Sequence, residues 1–182
     1  MAITRVGRGT VFPARFQLVA AMNPCPCGRT GSETEACSCR PGLAARYASR
    51  ISGPLRDRID IWVEMSRVPP EVLVKAPTPE CSAAVAGRIV AARAHQGLRP
   101  VPNARLAGRA LMSAAGLSGA GERTLIALAD LEELSARGTE RLLRVARTIA
   151  DLEATAWVAP EHLEEAARFR SPARRLADRS QS

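Results

Sequence analysis

Phe16-Gln-Leu-Val-Ala-Ala-Met-Asn-Pro-Cys-Pro-Cys-Gly28 is the stretch on which the reading of the chain turns. Its first seven residues are almost continuously apolar, and Asn23-Pro24 ends the run abruptly. A run of that length suits a strand buried on both faces, as in a parallel sheet. Upstream, residues 3–6 and 10–12 flank Gly7-Arg8-Gly9, which predicts a hairpin. Downstream, residues 25–42 are rich in Cys, Gly, Ser and Pro and read as loop. A short helix is expected over 43–49, and Arg58-Ile-Asp-Ile-Trp-Val-Glu64 reads as a second buried strand. Pro69, Pro70, Pro77 and Pro79 then punctuate a linker.

From Ser82 onward the pattern is helical. Helices are expected over 82–95, over 103–115 with Asn103 as cap and Gly116 as stop, and over 118–134 behind a Ser118 cap. Leu125, Leu128 and Leu131 share a face of the last of these. Leu142, Val145, Ile149 and Leu152 form the stripe of a helix near 137–154, and Pro160 opens a final helix ending near Phe169. The expected architecture is α/β followed by all-α. Residues 1–68 form the α/β piece, 69–99 a linker with one helix, 100–171 a helical bundle and 172–182 a polar tail.

The 182 residues are 46% hydrophobic and 24% charged, a balance that excludes disorder along most of the length. Aromatics make up 3%, too few for a single-strand binder built on stacking platforms. Lys+Arg exceeds Asp+Glu by 26 to 18, giving +8. Such a charge favours a polyanionic partner, although an Arg- and Ala-rich composition is also what a GC-rich genome writes. No apolar run approaches the ~18 residues of a membrane span. The amino terminus has no apolar segment of the secretory kind, so a cytoplasmic protein without membrane contact is expected.

The one lysine, Lys75, sits in Val-Leu-Val-Lys-Ala-Pro with no glycine near it. A P-loop needs Gly-x-x-x-x-Gly-Lys-Ser/Thr to cradle phosphates, and no such motif occurs. Nor does an apolar strand end in Asp-Glu. This chain alone is therefore not expected to hydrolyse ATP.

Cys25 and Cys27 form one close pair and Cys37 and Cys39 another. Four thiolates arriving as two pairs can close a tetrahedral zinc site. A reducing compartment disfavours disulfides, and free thiols are the remaining alternative. Four thiolates would leave no open position, so the metal would staple the loop and not catalyse. Cys81, alone in the linker, reads as a small apolar residue. His95 and His162 are too far apart for a triad or metalloprotease pattern and are expected on helix surfaces.

Three segments carry a resemblance. Phe12-Pro-Ala-Arg-Phe-Gln-Leu-Val-Ala-Ala-Met-Asn-Pro-Cys-Pro-Cys-Gly28, Arg50-Ile-Ser-Gly-Pro-Leu-Arg-Asp-Arg-Ile-Asp-Ile61 and Leu142-Leu-Arg-Val-Ala-Arg-Thr-Ile-Ala-Asp-Leu-Glu153 resemble the magnesium-chelatase-like ComM family of bacterial AAA+ proteins. The resemblance covers nearly the whole chain but only the family's carboxyl-terminal portion. It implies the C-terminal part of an AAA+ α/β ATPase core plus a helical lid bundle, a fragment lacking the Walker-bearing half. It further implies ATP and Mg²⁺ once that half is supplied, a ring-forming homo-oligomer (a hexamer in the family), and DNA branch migration or helicase-like remodelling in transformation and recombination.

Site residues carry over individually. Asn23 matches the sensor 1 residue that orients the attacking water. Arg58 matches the arginine finger offered to a neighbouring subunit's ATP. Arg137 matches the sensor 2 position at the start of a lid helix, so Asn23 and Arg137 would both face nucleotide. Arg141, Arg144 and Arg147 read as largely surface charges. The hairpin near Gly7 resembles a pore-facing hairpin of related ring helicases, which would turn Arg5 and Arg8 toward DNA phosphates. Arg56 departs from the family's usual apolar residue, and Arg58 keeps the better register before the following strand. A standalone zinc-containing DNA-binding module and a magnesium chelatase subunit proper are the competing readings; Cys-Pro-Cys-Gly favours the ComM branch over the latter.

Overall fold

The computed structural model describes residues 2–5, 8–13, 16–31, 35–65, 67–75 and 80–170. It divides into two compact units, residues 1–48 and 49–182.

In the first unit, β1 (Ala2–Arg5) and β2 (Arg8–Val11) pair antiparallel, with Ala2 opposite Val11 and Arg5 opposite Arg8. Arg8 thus belongs to a strand and not to the expected turn; residues 6–7 lie outside the described residues. A six-residue helix, α1 (Leu43–Ala48), ends the unit.

Among the described residues, the expected strands of an α/β core are not found beyond this hairpin. Residues 16–22 adopt no regular structure and lie exposed, Val19 at 85% and Phe16 at 76%. Residues 59–64 likewise form no strand, and Ile61 and Val63 face solvent. The reason is physical. A doubly buried strand needs ladder partners on its edges and layers over both faces. Neither run meets a partner strand among the described residues.

In the second unit, α2 (Gly53–Arg58) starts at Ser52, whose hydroxyl accepts from the Leu55 N–H, with Pro54 in its first turn. α3 (Pro70–Lys75) buries none of its residues. The packed body comprises α4 (Ser82–Gly97), a 3₁₀ turn (Asn103–Arg105), α5 (Gly108–Ala115), α6 (Gly119–Leu131), α7 (Ala136–Leu152) and α8 (Pro160–Arg168). Ser118 caps α6 through the Gly121 N–H, and Ser135 caps α7 through the Gly138 N–H. Gly116 ends α5 in the left-handed region at φ 56°. α7 is the axis: Leu142, Leu143, Val145, Ala146, Ile149 and Ala150 all enter the core, and α4, α5, α6 and α8 pack around it.

Two polar groups inside this body overturn their expected surface placement. Arg147 is wholly buried: its guanidinium donates to the carbonyls of Ala156 (2.8 Å), Thr155 (2.6 Å) and Ala114 (3.3 Å) and meets Asp151 at 3.0 Å. Asp151 also accepts from Arg99 through both carboxylate oxygens and from Asn103 at 2.6 Å. Asn103 is therefore a buried ligand of this carboxylate and not the cap of α5. His162 is buried at the first turn of α8; its Nδ1 accepts from the Ala159 N–H and its Nε2 faces Glu153 at 2.9 Å. The hydrogen bond at Nδ1 leaves the proton on Nε2.

Burial pushes the Asp151 carboxyl up, but hydrogen bonds from Arg99 and Asn103 and the charge of Arg147 outweigh it and hold the group below the ordinary range. Its contribution to stability is full above the unfolded carboxylate value of ~3.9 and is lost as pH falls through the lower folded value. Asp151→Asn is expected to destabilise the second unit by about 3–5 kcal/mol in urea unfolding, since it strands the buried Arg147 and removes the partner of the half-buried Arg99. The same variant should flatten the acid limb of the stability profile; an acid limb identical to that of the parent would assign the limb to other carboxylates.

Candidate functional site

The four paired cysteines converge. Pro24 and Pro26 stiffen the entry to the loop, and the Gly28 N–H returns to the Cys25 carbonyl at 3.0 Å. Gly28 and Gly31 take φ of 78° and 79°, which side-chain-bearing residues rarely adopt. These turns bring Cys25 and Cys27 to 3.3 Å, Cys27 and Cys37 to 3.5 Å, and Cys25 and Cys37 to 3.8 Å, sulfur to sulfur. With Cys39, all four sulfurs lie within 4.8 Å of one another. A tetrahedron of thiolates at a Zn–S distance of ~2.3 Å has edges of about 3.8 Å, so the cluster has the dimensions of a closed metal cage. Cys25 is wholly buried, whereas Cys37 is exposed. Thr30 supports the cage from outside, its N–H directed at the Cys25 sulfur (3.4 Å) and its hydroxyl at that of Cys37 (3.2 Å). Four cysteines in this arrangement can hold a thiophilic metal ion.

The thiols do not share protons evenly. The backbone N–H of Arg29 and the Cys25 thiol stabilise the Cys27 thiolate and bring it down to about 5. At Cys39 the Cys27 backbone favours the thiolate, but burial and the three neighbouring sulfurs prevail and push it up to about 12. At Cys25 burial opposes ionisation, yet the Thr30 hydrogen bonds leave the group lowered.

Asn23 is exposed beside this loop; a Cβ on Gly28 would sit 3.9 Å from its amide nitrogen. Arg5 and Arg8 face each other in backbone register on the hairpin, and their side chains lie outside what is described. Arg58 and Arg137 belong to the second unit. Arg58 ends α2, exposed, with its guanidinium folded onto the Pro54 carbonyl at 2.7 Å. Arg137 is exposed in the first turn of α7.

The carboxylates on either side of Arg58 pair with distant arginines. Asp57 meets Arg170 at 3.5 Å, Asp60 meets Arg141 at 3.4 Å, and the Trp62 N–H donates to the Phe169 carbonyl at 2.8 Å. The alternation of Arg56, Asp57, Arg58 and Asp60 signals such pairing, but the partners lie about a hundred residues away and leave no local mark.

A sequence profile described as magnesium chelatase, subunit ChlI, matches residues 1–73, and one for the C-terminal part of ChlI matches residues 79–170. The chain belongs to the magnesium-chelatase-like family. Among its relatives, the uncharacterized protein YifB of Salmonella typhimurium is 39% identical over 175 residues, covering 93% of this chain and 33% of the relative. The competence protein ComM of Haemophilus influenzae is 36% identical over 177 residues, covering 96% of this chain and 34% of its own length. A Mycobacterium bovis protein, Mb2921c, is 39% identical over 146 residues, or 78% and 28% of the two chains. The chain thus spans about a third of the length of the curated relatives it matches. No helix among the described residues is long and apolar enough to cross a membrane.

The proton distribution has a direct chemical readout. In reduced, metal-free protein at about pH 6, Cys27 is expected to be alkylated first and Cys39 last among the four, because the thiolate is the nucleophile. Peptide mass spectrometry after brief iodoacetamide treatment measures the order, and equal labelling of all four would contradict the assignment.

Proposed function

We propose that the chain is the carboxyl-terminal part of an AAA+ ATPase subunit of the ComM type. In this reading it supplies sensor and finger groups to ATP sites whose phosphate cradle lies in another part of the protein. The observation that carries the proposal is the pair of family matches, consecutive and in order, over residues 1–73 and 79–170 of a chain without a phosphate-binding lysine. Asn23 would orient the attacking water, Arg137 would face the nucleotide from the lid, and Arg58 would offset transition-state charge at a neighbouring subunit's site. Mg²⁺ would enter with the nucleotide. The exposed position of Arg58, held by one carbonyl, suits a side chain that must reach across an interface.

The work done with ATP would be remodelling of DNA by a ring of subunits, with Arg5 and Arg8 meeting phosphates and reading no sequence. The name of the Haemophilus relative, a competence protein, supports DNA as the substrate over porphyrin. The cysteine cage would hold one Zn²⁺ as a structural staple, since its four thiolates leave no coordination position for substrate or water.

The isolated chain is expected to release no phosphate from ATP, and turnover should appear when it is joined to a Walker-bearing polypeptide of the family. Arg58→Ala in that assembly should lower kcat by ~10³-fold or more with little change in KM, as for fingers that act in the transition state. Hydrolysis by the pure isolated chain, or wild-type kcat in the variant assembly, would refute the respective assignment.

Elemental analysis of protein purified under reducing conditions should find one zinc per chain. Cys25→Ser and Cys37→Ser should each remove most of it.

A further inference from the structure

α2 carries Arg58 but buries none of its own residues, so apolar packing does not fix its direction. What ties it to the helical body is polar and converges on one side chain. Arg170, just past the end of α8, is 6% exposed at its side chain; it reaches Asp57 at 3.5 Å and the Ile59 carbonyl at 3.4 Å, on either side of Arg58. Its guanidinium also crosses the first turn of α7, where a Cβ on Gly138 would come within 3.5 Å of Nη2. The Arg141–Asp60 pair and the Trp62–Phe169 hydrogen bond extend the same seam.

This seam is poorly optimised for stability. Nε of Arg170 is buried without a hydrogen-bond partner, and Nη1 of Arg141, equally buried, meets only Asp60 at 3.4 Å. Buried donors left unpaired oppose folding, and a buried ion pair is weak evidence for stability while it does fix geometry. We propose that Arg170 is a positioning residue that locks α2 to the helical body through Asp57, so that Arg58 is presented in a fixed orientation. The proposal rests on the reading of Arg58 as a finger. Arg170 touches no reacting atom; it acts through Asp57 and the backbone at Ile59.

Two measurements separate the parts. In the full 182-residue chain, Arg170→Met should lower hydrogen-exchange protection of the amides in 55–62 by roughly tenfold or more, while those of α6 and α7 keep theirs. Asp57→Asn, a change at a half-exposed site that spares the core, should do the same. In the assembly with a Walker-bearing polypeptide, each variant should reduce kcat on the order of 10–100-fold at constant KM, the scale of a misplaced group. The double variant should lose no more than either single one, and Arg170→Lys should recover part of the loss. Unchanged protection of 55–62 in both variants overturns the lock. Wild-type kcat in Arg170→Met alongside a crippled Arg58→Ala overturns the positioning role and spares the finger. Wild-type kcat in Arg58→Ala overturns the finger and, with it, this role for Arg170.

Discussion

Asp151 is the buried anion around which the helical body is assembled. It draws Arg147 from its own helix, Arg99 from the chain leaving α4, and Asn103 from the 3₁₀ turn. Arg147 in turn donates to carbonyls at the end of α5 and in the α7–α8 connection. Four segments are thus held in register by one carboxylate. Such a network is a demanding choice for a core, because the ions are desolvated and every member must be present. What it provides is uniqueness: Leu and Ala side chains on α7 could slide against their neighbours, whereas two guanidinium groups fixed on one carboxylate cannot.

The amino-terminal unit solves its problem differently. Its described part has one hairpin, one short helix and few buried side chains. The local order lies in the cysteine loop, where positive-φ glycines and Thr30 bring four sulfurs together. A loop lacking apolar burial is where a metal stabilises most per residue, because the folding energy is supplied by ligand bonds.

The helices of the second unit were legible because their signals are local. Ser118 caps where its hydroxyl can reach the Gly121 N–H, and Leu142, Val145 and Ile149 of the expected stripe enter the core, while Leu152 at the end of α7 lies exposed. The cysteine pairs were legible for the same reason, since their convergence needs only a short loop. The runs at 16–22 and 59–64 were misread because apolarity records what a segment needs to bury against and not whether that surface is present. Arg147 has the ordinary look of a helix charge, although Asp151 four residues on, beside an apolar stripe, marks the pair as inward-facing. His162 was missed because a histidine standing in for the usual cap partner follows no common pattern. Arg170 could not be found from sequence, for its partners are over a hundred residues distant.

The exposed run from Phe16 to Met22 also bears on self-association. Phe, Leu, Val and Met side chains in an exposed stretch without a strand partner among the described residues are a template on which copies of the chain can stack edge to edge. Pro13 precedes the stretch and Pro24 and Pro26 follow it, and none of them can donate to a ladder. They act as gatekeepers that confine any such pairing to a few residues. The same prolines that shape the entry to the metal loop therefore limit aggregation of the segment beside it.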